Sequence, residues 1–326
     1  MGSNGKAKGR PRAVLITGAG GYVGRLVTRA LAAAPEPIET IVATDIRPPT
    51  ADERIGGVTY RQLDVRAPSL AEVLREHGID TVVHLAAIVT PGADDTRELQ
   101  YAVDVEGTDN VLASCVEAGV GRLVYTSSGA AYGYHADNPA LLDEEDALRG
   151  NEVFAYAWHK RLVEERLAHY RREHPELGQL VFRVGTILGE SVDNQITALF
   201  ERPIVLGLRE AETPFCFVWD EDVVGCIVRG VFGDETGTFN LTGDGVMTLR
   251  ECAHAAGRRY VALPSKLVEA GIGLLRRAEL TRYGTEQILF LKHRPVLANR
   301  RLKEEFGYLP RRTSRQVFEL YRRARA

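Results

Sequence analysis

Several things are scarce or missing in this sequence, and each absence removes a class of protein. There are four cysteines, Cys115, Cys216, Cys226 and Cys252, none spaced as Cys-x-x-Cys and none set with histidine at metal-ligand spacing. No metal site, redox pair or disulfide framework is expected from them, and reduced structural thiols suit a cytoplasmic protein. Charge of one sign is not in excess: 41 Lys and Arg stand against 44 Asp and Glu, a formal net charge of −3. That balance argues against nucleic acid or a membrane surface as partner. No long apolar run is present. The stretch 263–275 is short, is interrupted by Lys266 and Glu269, and reads as an amphipathic helix. Residues 1–12 are rich in Gly, Lys and Arg without an apolar segment, so a secretory signal is not expected there. Residues 1–11 read instead as a disordered tail, with too few basic residues for a nucleic-acid arm. Internal repeats and low-complexity linkers are also missing.

What is present is the make-up of an ordinary globular protein, 44% hydrophobic and 26% charged over 326 residues. That length suits one large α/β domain with a smaller lobe. The first two-thirds alternate strand and helix patterns. Apolar, β-branched runs at 13–17, 40–44, 58–63, 81–85, 122–126 and 180–184 read as buried parallel strands. Between them lie helical patterns at 23–33, 103–118 and 156–173, and Ser69 with Glu72 has the spacing of a capping box. The expected fold is a doubly wound parallel sheet of the Rossmann type. It should occupy 12–190, with late strands from about 215–243 returning to it. A smaller, mainly helical C-terminal lobe at 191–214 and 244–326 is expected to hold the substrate. Residues 194–208 read as helical, then loose, and 215–219 and 238–241 as short strands.

Between the first strand and the first helix runs Thr17-Gly18-Ala19-Gly20-Gly21-Tyr22-Val23-Gly24. Gly18 allows the tight turn, Gly21 lets backbone amides approach a pyrophosphate, and Gly24 lets the helix pack on the strand. The helix N-terminus then presents its partial positive charge to the phosphates. Glycine triplets also occur in plain strand–helix turns, but the strand before and the helix after favour dinucleotide binding. Asp45 closes the second strand, where a carboxylate can accept both ribose hydroxyls of NAD and repel the 2′-phosphate of NADP. NAD is therefore preferred, although Arg47 offsets part of that repulsion.

Tyr156 and Lys160 lie one turn apart on a helix and face the same way. A free tyrosine, with a pKa of about 10, is a poor base at neutral pH. A nearby ammonium and an oxidised nicotinamide both favour the phenolate. The pair can then exchange a proton with a substrate oxygen while a hydride moves, with Ser128 hydrogen-bonding the same oxygen. Tyr-x-x-x-Lys alone is common on helix surfaces and would carry little weight.

Taken in order, the motifs make the sequence resemble the extended short-chain dehydrogenase/reductase superfamily, the NAD-dependent epimerase/dehydratase family. They are TGAGGYVG at 17–24, Asp45, Asp64, HLAA at 84–87, VEGTDNVL at 105–112, SSGAAYG at 127–133, Tyr156 with Lys160, and FRVGTILG at 182–189. FVWDEDV at 217–223, FNLTG at 239–243 and NRRLKEEFGYLP at 299–310 follow, so the likeness covers nearly the whole chain. It implies an NAD site at Gly18, Gly21, Tyr22, Val23 and Gly24, with Asp45, Ile46 and Arg47 at the ribose. It also implies Asp64 and Val65 near the adenine, and Leu85, Ala86 and Ala87 lining the cofactor. Val184 and Thr186 should close the site beside Tyr156 and Lys160, and Lys160 should hold the nicotinamide ribose. Catalysis falls to Tyr156, Lys160 and Ser128, with Ser127 the weaker candidate. Relatives commonly dimerise through two long helices, here 103–118 and 156–173, so a homodimer is expected.

The sequence departs from the sugar-nucleotide enzymes of that branch at several points. Asp104 stands where asparagine is usual, and so does Thr186. Phe215 replaces a diphosphate-binding arginine, and Arg294-Pro295-Val296-Leu297 replaces Arg-x-Gly-Asp. A diphosphate needs cationic partners. These changes favour oxidoreduction of a small or moderately apolar, non-nucleotide alcohol or carbonyl compound, with Ser128, Phe215 and Arg294 in contact with it. The 263–275 helix would add an apolar wall, although plain lobe packing explains it better. The alternative is a sugar-nucleotide epimerase. A dehydratase is less favoured, because Gly129 and Ala130 replace the acidic pair expected after the serine. A non-catalytic NAD-sensing role fits least, since tyrosine and lysine are both kept. His135 and His159 read as surface or helper residues.

Overall fold

The computed structural model describes residues 12–35, 38–89, 92, 95–278, 284 and 287–325. The expected tail at 1–11 lies outside them. Seven parallel strands form the central sheet: β1 (Ala13–Thr17), β2 (Thr40–Asp45), β3 (Val58–Gln62), β4 (Thr81–His84), β5 (Arg122–Ser128), β6 (Gly178–Val184) and β7 (Gly237–Leu241). They lie in the order β7-β6-β5-β4-β1-β2-β3. All five residues of β1 are buried, because helices cover both faces of the sheet. β1 has β2 on one side and β4 on the other, so the chain order reverses there and leaves a crevice beyond the strands' C-terminal ends.

Five helices frame that crevice. α1 (Tyr22–Ala32) buries Gly24, Val27, Thr28 and Leu31, one face at helical spacing. α2 (Leu70–Glu76) follows β3. α3 runs unbroken through Arg97–Tyr101, a π-helical stretch Ala102–Glu106, and Gly107–Ala118. It therefore begins well before the expected 103, capped by Thr96, whose hydroxyl accepts from the Leu99 amide at 3.2 Å. α4 (Ala155–Glu173) and α5 (Asp220–Phe232) complete the set. One apolar cluster packs α1 and α5 on one face of the sheet, and a second packs α2, α3 and α4 on the other.

Three expectations need correction. Ser69 does not cap α2: its backbone is already helical, at φ −74° and ψ −3°, and its side chain makes no cap bond. The 194–208 segment is a short helix, Thr197–Glu201, followed by a strand, Ile204–Leu208. Pro203 disfavours helix at Arg202, and the β-branched Ile204 and Val205 suit the strand. Of the late strands, Gly237–Leu241 joins the sheet, whereas Phe217–Trp219 pairs with Thr186–Leu188 and Pro214–Phe215 pairs with Met247–Thr248. A further pair, Ile204–Leu208 with Arg259–Leu263, adds to the smaller lobe. Its third apolar cluster is centred on Phe200, Phe215, Phe217 and Phe318. The helix Ser265–Arg277 leaves Leu267 and Leu274 61% and 69% exposed. Among the described residues no helix is long and apolar enough to cross a membrane.

Candidate active site

The glycine turn is built to bring backbone close. Gly18 has φ +66°, a left-handed conformation that favours glycine, and a Cβ there would sit 2.6 Å from the Ala86 amide. A Cβ on Gly24 would sit 2.1 Å from the Gly18 carbonyl oxygen. Gly21 donates its amide to that same carbonyl at 3.0 Å. The first turn of α1 carries no acidic residue, and no side chain caps it. Its amides and dipole thus face the crevice as an anion cradle that side chains would fill.

Asp45 accepts from the Gly20 amide and the Arg47 amide, both at 3.0 Å, which fixes its carboxylate beside the turn. Ile46 and Arg47 are exposed next to it. Asp64 pairs with Arg66 at 2.6 Å, which holds its carboxyl below the usual range. Val65 is buried against α3. The Leu85 and Ala86 amides point at the Thr17 hydroxyl, at 3.2 and 3.3 Å. Tyr22 donates its hydroxyl to Asp220, tying the start of α1 to the start of α5.

On the other wall, α4 and the end of β5 bring Tyr156, Lys160 and Ser128 together. Lys160 Nζ donates to the Tyr125 hydroxyl at 2.9 Å and to the Thr126 carbonyl at 2.8 Å. It stands 5.8 Å from the Tyr156 ring. Ser128 stands within reach of the Tyr156 hydroxyl, whose phenolate it favours, and accepts the Ala130 amide at 3.1 Å. Ser127 points to the other face of the strand and donates to Glu164. The alternation of β5 thus separates the two serines, and only Ser128 faces the tyrosine. Burial pushes the Tyr156 hydroxyl up to about 12, with Ser128 opposing. Burial also brings the Lys160 ammonium down to about 8, with Asp104 and Glu164 opposing. His84, fully buried behind them, is driven down to about 3 by desolvation and by Lys160.

Beyond this wall lies Arg294. It is sandwiched between the Phe215 ring at 4.2 Å and the Phe290 ring at 4.5 Å, and donates to Thr186 Oγ1 at 2.6 Å. No carboxylate among the described residues pairs with it. Phe215 is fully buried, stacked on Phe217 at 5.5 Å beneath the guanidinium. The expectation that Phe215 touches substrate is therefore corrected: its ring belongs to the lobe core and supports Arg294. Val184 and Thr186 are both buried at the end of β6. Tyr134 packs against Phe154 and Phe290, at 5.0 and 5.5 Å, in the same apolar cluster as Tyr156.

Sequence reasoning missed Tyr125, Tyr134, Phe290 and Asp220. For Tyr125 a signal existed, since it lies on the strand that delivers the serines. For the others the partner is remote in sequence. His135 hydrogen-bonds the Arg149 carbonyl at 2.7 Å, and His159 is buried against Asp104.

Residues 14–229 match the model of the NAD dependent epimerase/dehydratase family. The chain belongs to that family. This is the family that the order of its motifs implied. An uncharacterised protein of Mycobacterium tuberculosis is 28% identical over 319 residues, covering 97% of this chain and 84% of its own. A 3 beta-hydroxysteroid dehydrogenase/Delta 5→4-isomerase of vaccinia virus is 29% identical over 154 residues, 46% of this chain and 44% of its own. Among solved structures, UDP-glucose 4-epimerase of Thermotoga maritima with UDP-glucose aligns at TM-score 0.75 and 18% identity, covering 96% and 98% of the two chains. The dTDP-glucose 4,6-dehydratase of Bacillus anthracis with NAD aligns at 0.73 and 15% identity, covering 96% of each. At such identities these structures establish the shared fold of the family.

Proposed function

We propose that this family member catalyses NAD-dependent hydride and proton transfer at an alcohol or carbonyl carbon of a small molecule. The observation that carries the reading is the meeting of Tyr156, Lys160 and Ser128 at the C-terminal edge of the sheet, across the crevice from the glycine turn. The cradle at Gly18, Gly21 and Gly24 fits a pyrophosphate, and Asp45 fits a ribose with free hydroxyls, so NAD is favoured over NADP. Bound NAD supplies the hydride acceptor. Everything else falls to this chain. Ser128 holds the substrate oxygen by a hydrogen bond, and Tyr156 takes or returns the proton at that oxygen. Lys160 binds the nicotinamide ribose and lowers the cost of the phenolate by its charge.

Arg294 sharpens the substrate class. Its guanidinium is held on aromatic faces, with Thr186 as its hydrogen-bond partner. A half-buried cation of this kind is suited to an anionic substrate group. A non-nucleotide alcohol bearing such a group is the first reading. The second is sugar-nucleotide epimerisation, favoured by the same guanidinium, which suits a diphosphate. Incubation with NAD and a panel of hydroxy acids and alcohols, in parallel with UDP-glucose and dTDP-glucose, separates them. NADH accumulation with an alcohol supports the first. A new sugar isomer without net NADH supports the second. Retained NAD with no turnover in any arm contradicts both.

A further inference from the structure

One residue of the smaller lobe holds a conformation that its chemistry opposes. Thr213 has φ +49°, in the left-handed region, and among the described residues it is the one non-glycine there. Its branched Cβ and the proline that follows it both disfavour that backbone. Such a conformation persists only where the surroundings impose it. Two contacts do so. The Thr213 hydroxyl donates to the Leu291 carbonyl at 2.6 Å, and the Leu249 amide donates to the Thr213 carbonyl at 3.0 Å. The residue is 1% exposed, so water does not compete for either bond. Leu291 lies in the last turn of the helix Gln287–Lys292, where carbonyls lack a donor from their own helix, and the hydroxyl supplies one. Both ends of this link lead to Arg294. Phe215 lies two residues after Thr213, and Phe290 lies directly before Leu291. The guanidinium stands 4.2 Å from the first ring and 4.5 Å from the second.

We propose that Thr213 is a positioning residue that sets the aromatic slot in which Arg294 is held. The strand Pro214–Phe215 carries one wall of that slot and the helix Gln287–Lys292 carries the other. Among the described residues, the Thr213 hydroxyl makes the hydrogen bond that ties the two together. The left-handed turn directs the hydroxyl to the helix and leads the chain through Pro214 to Phe215, which pairs with Met247. Glycine would take the same φ without strain, but it has no hydroxyl to reach Leu291. Threonine here exchanges backbone ease for that bond. Arg294 itself is fixed at one end by its bond to Thr186 Oγ1 at 2.6 Å, so its direction depends on the two rings. With the Thr213 link cut, the rings are free to part. The guanidinium then loses the set orientation that a charged hydrogen bond to substrate requires.

The proposal rests on Arg294 serving the substrate in the proposed reaction, but its deciding test needs neither substrate nor turnover. Ring currents from the two flanking faces displace the Arg294 Nε–H signal to high field. In the full chain labelled with nitrogen-15 at arginine, that signal is identified by its loss in Arg294→Met. Thr213→Gly removes the hydroxyl and relieves the backbone, so the variant should fold. Its Arg294 signal should move toward the ordinary arginine position. Exchange of that proton with water should quicken by about 3–10-fold, the worth of one hydrogen bond. Thr213→Ser keeps the hydroxyl and should keep both the signal and the exchange rate. With a charged substrate, KM should rise by about the same 3–10-fold in Thr213→Gly and be restored in Thr213→Ser. An unmoved signal with unchanged exchange in Thr213→Gly overturns the proposal. So does a serine variant displaced as far as the glycine one, which would trace the effect to packing. Failure of the substrate panels, with the signal displaced in Thr213→Gly and kept in Thr213→Ser, would count against the function and for the slot.

Discussion

Without cofactor, burial keeps the Tyr156 hydroxyl protonated up to about pH 12, while Lys160 gives up its proton from about 8. The site is therefore poised by its occupant: the phenolate forms cheaply only when positive charge arrives beside it. Removing the hydroxyl should abolish proton transfer and spare cofactor binding. Tyr156→Phe is expected to lower kcat by about 10²–10⁴-fold with NAD affinity little changed, read by steady-state rates and calorimetric titration with NAD. Equal loss of both would mean that the hydroxyl also holds the cofactor, against its assignment to proton transfer alone. On the proposed reading, substrate choice turns on Arg294. Arg294→Met fills similar space on the Phe215 and Phe290 faces without charge. For a charged substrate, kcat/KM should fall by roughly 10–100-fold through KM, from the loss of a charged hydrogen bond. A charged substrate turned over with unchanged KM would show that the guanidinium is structural.

Gly18 combines a positive φ with a Cβ position 2.6 Å from the Ala86 amide, both backbone constraints that cannot relax cheaply. Gly18→Ala should cost about 1–3 kcal/mol of stability in denaturant titrations and weaken NAD binding together with it. A variant with unchanged midpoint and affinity would contradict the close approach. His84 ends β4 between the Thr17 and Thr108 hydroxyls. Its folded pKa of about 3 lies below the ordinary 6.5, so between those values the unfolded chain binds the proton and the folded chain does not. Stability present above 6.5 is therefore lost as pH falls toward 3. His84→Gln can keep both hydroxyl partners and removes the titration. Its thermal midpoint should depend less steeply on pH across that window. Parallel slopes would show that other groups carry acid unfolding.

Across the whole molecule, legibility followed burial. β1 and β4 are buried at every position, so their apolar runs read directly as central strands. The smaller lobe has no such regularity. Ile204-Val205-Leu206 continues the apolar pattern of the helix before it, and Pro203 was the overlooked break. Ser69 has the spacing of a cap, but the turn from Asp64 through Ala67 to Leu70 has already committed its backbone. In the site, Gly18, Gly24, Tyr156 and Lys160 were legible because their spacing is local. Asp104 with His159 is separated by 55 residues, and Thr186 with Arg294 by 108, so only the folded chain joins them. The buried Arg183–Glu164 pair, at 2.8 Å, likewise ties β6 to α4. The most direct measurement of the central claim is a crystal structure of the protein with NAD. The account predicts the pyrophosphate on the Gly18–Gly24 amides, the adenine-side ribose on Asp45, the nicotinamide ribose on Lys160, and the nicotinamide facing the Tyr156 hydroxyl. NAD bound with its nicotinamide away from Tyr156 would contradict it.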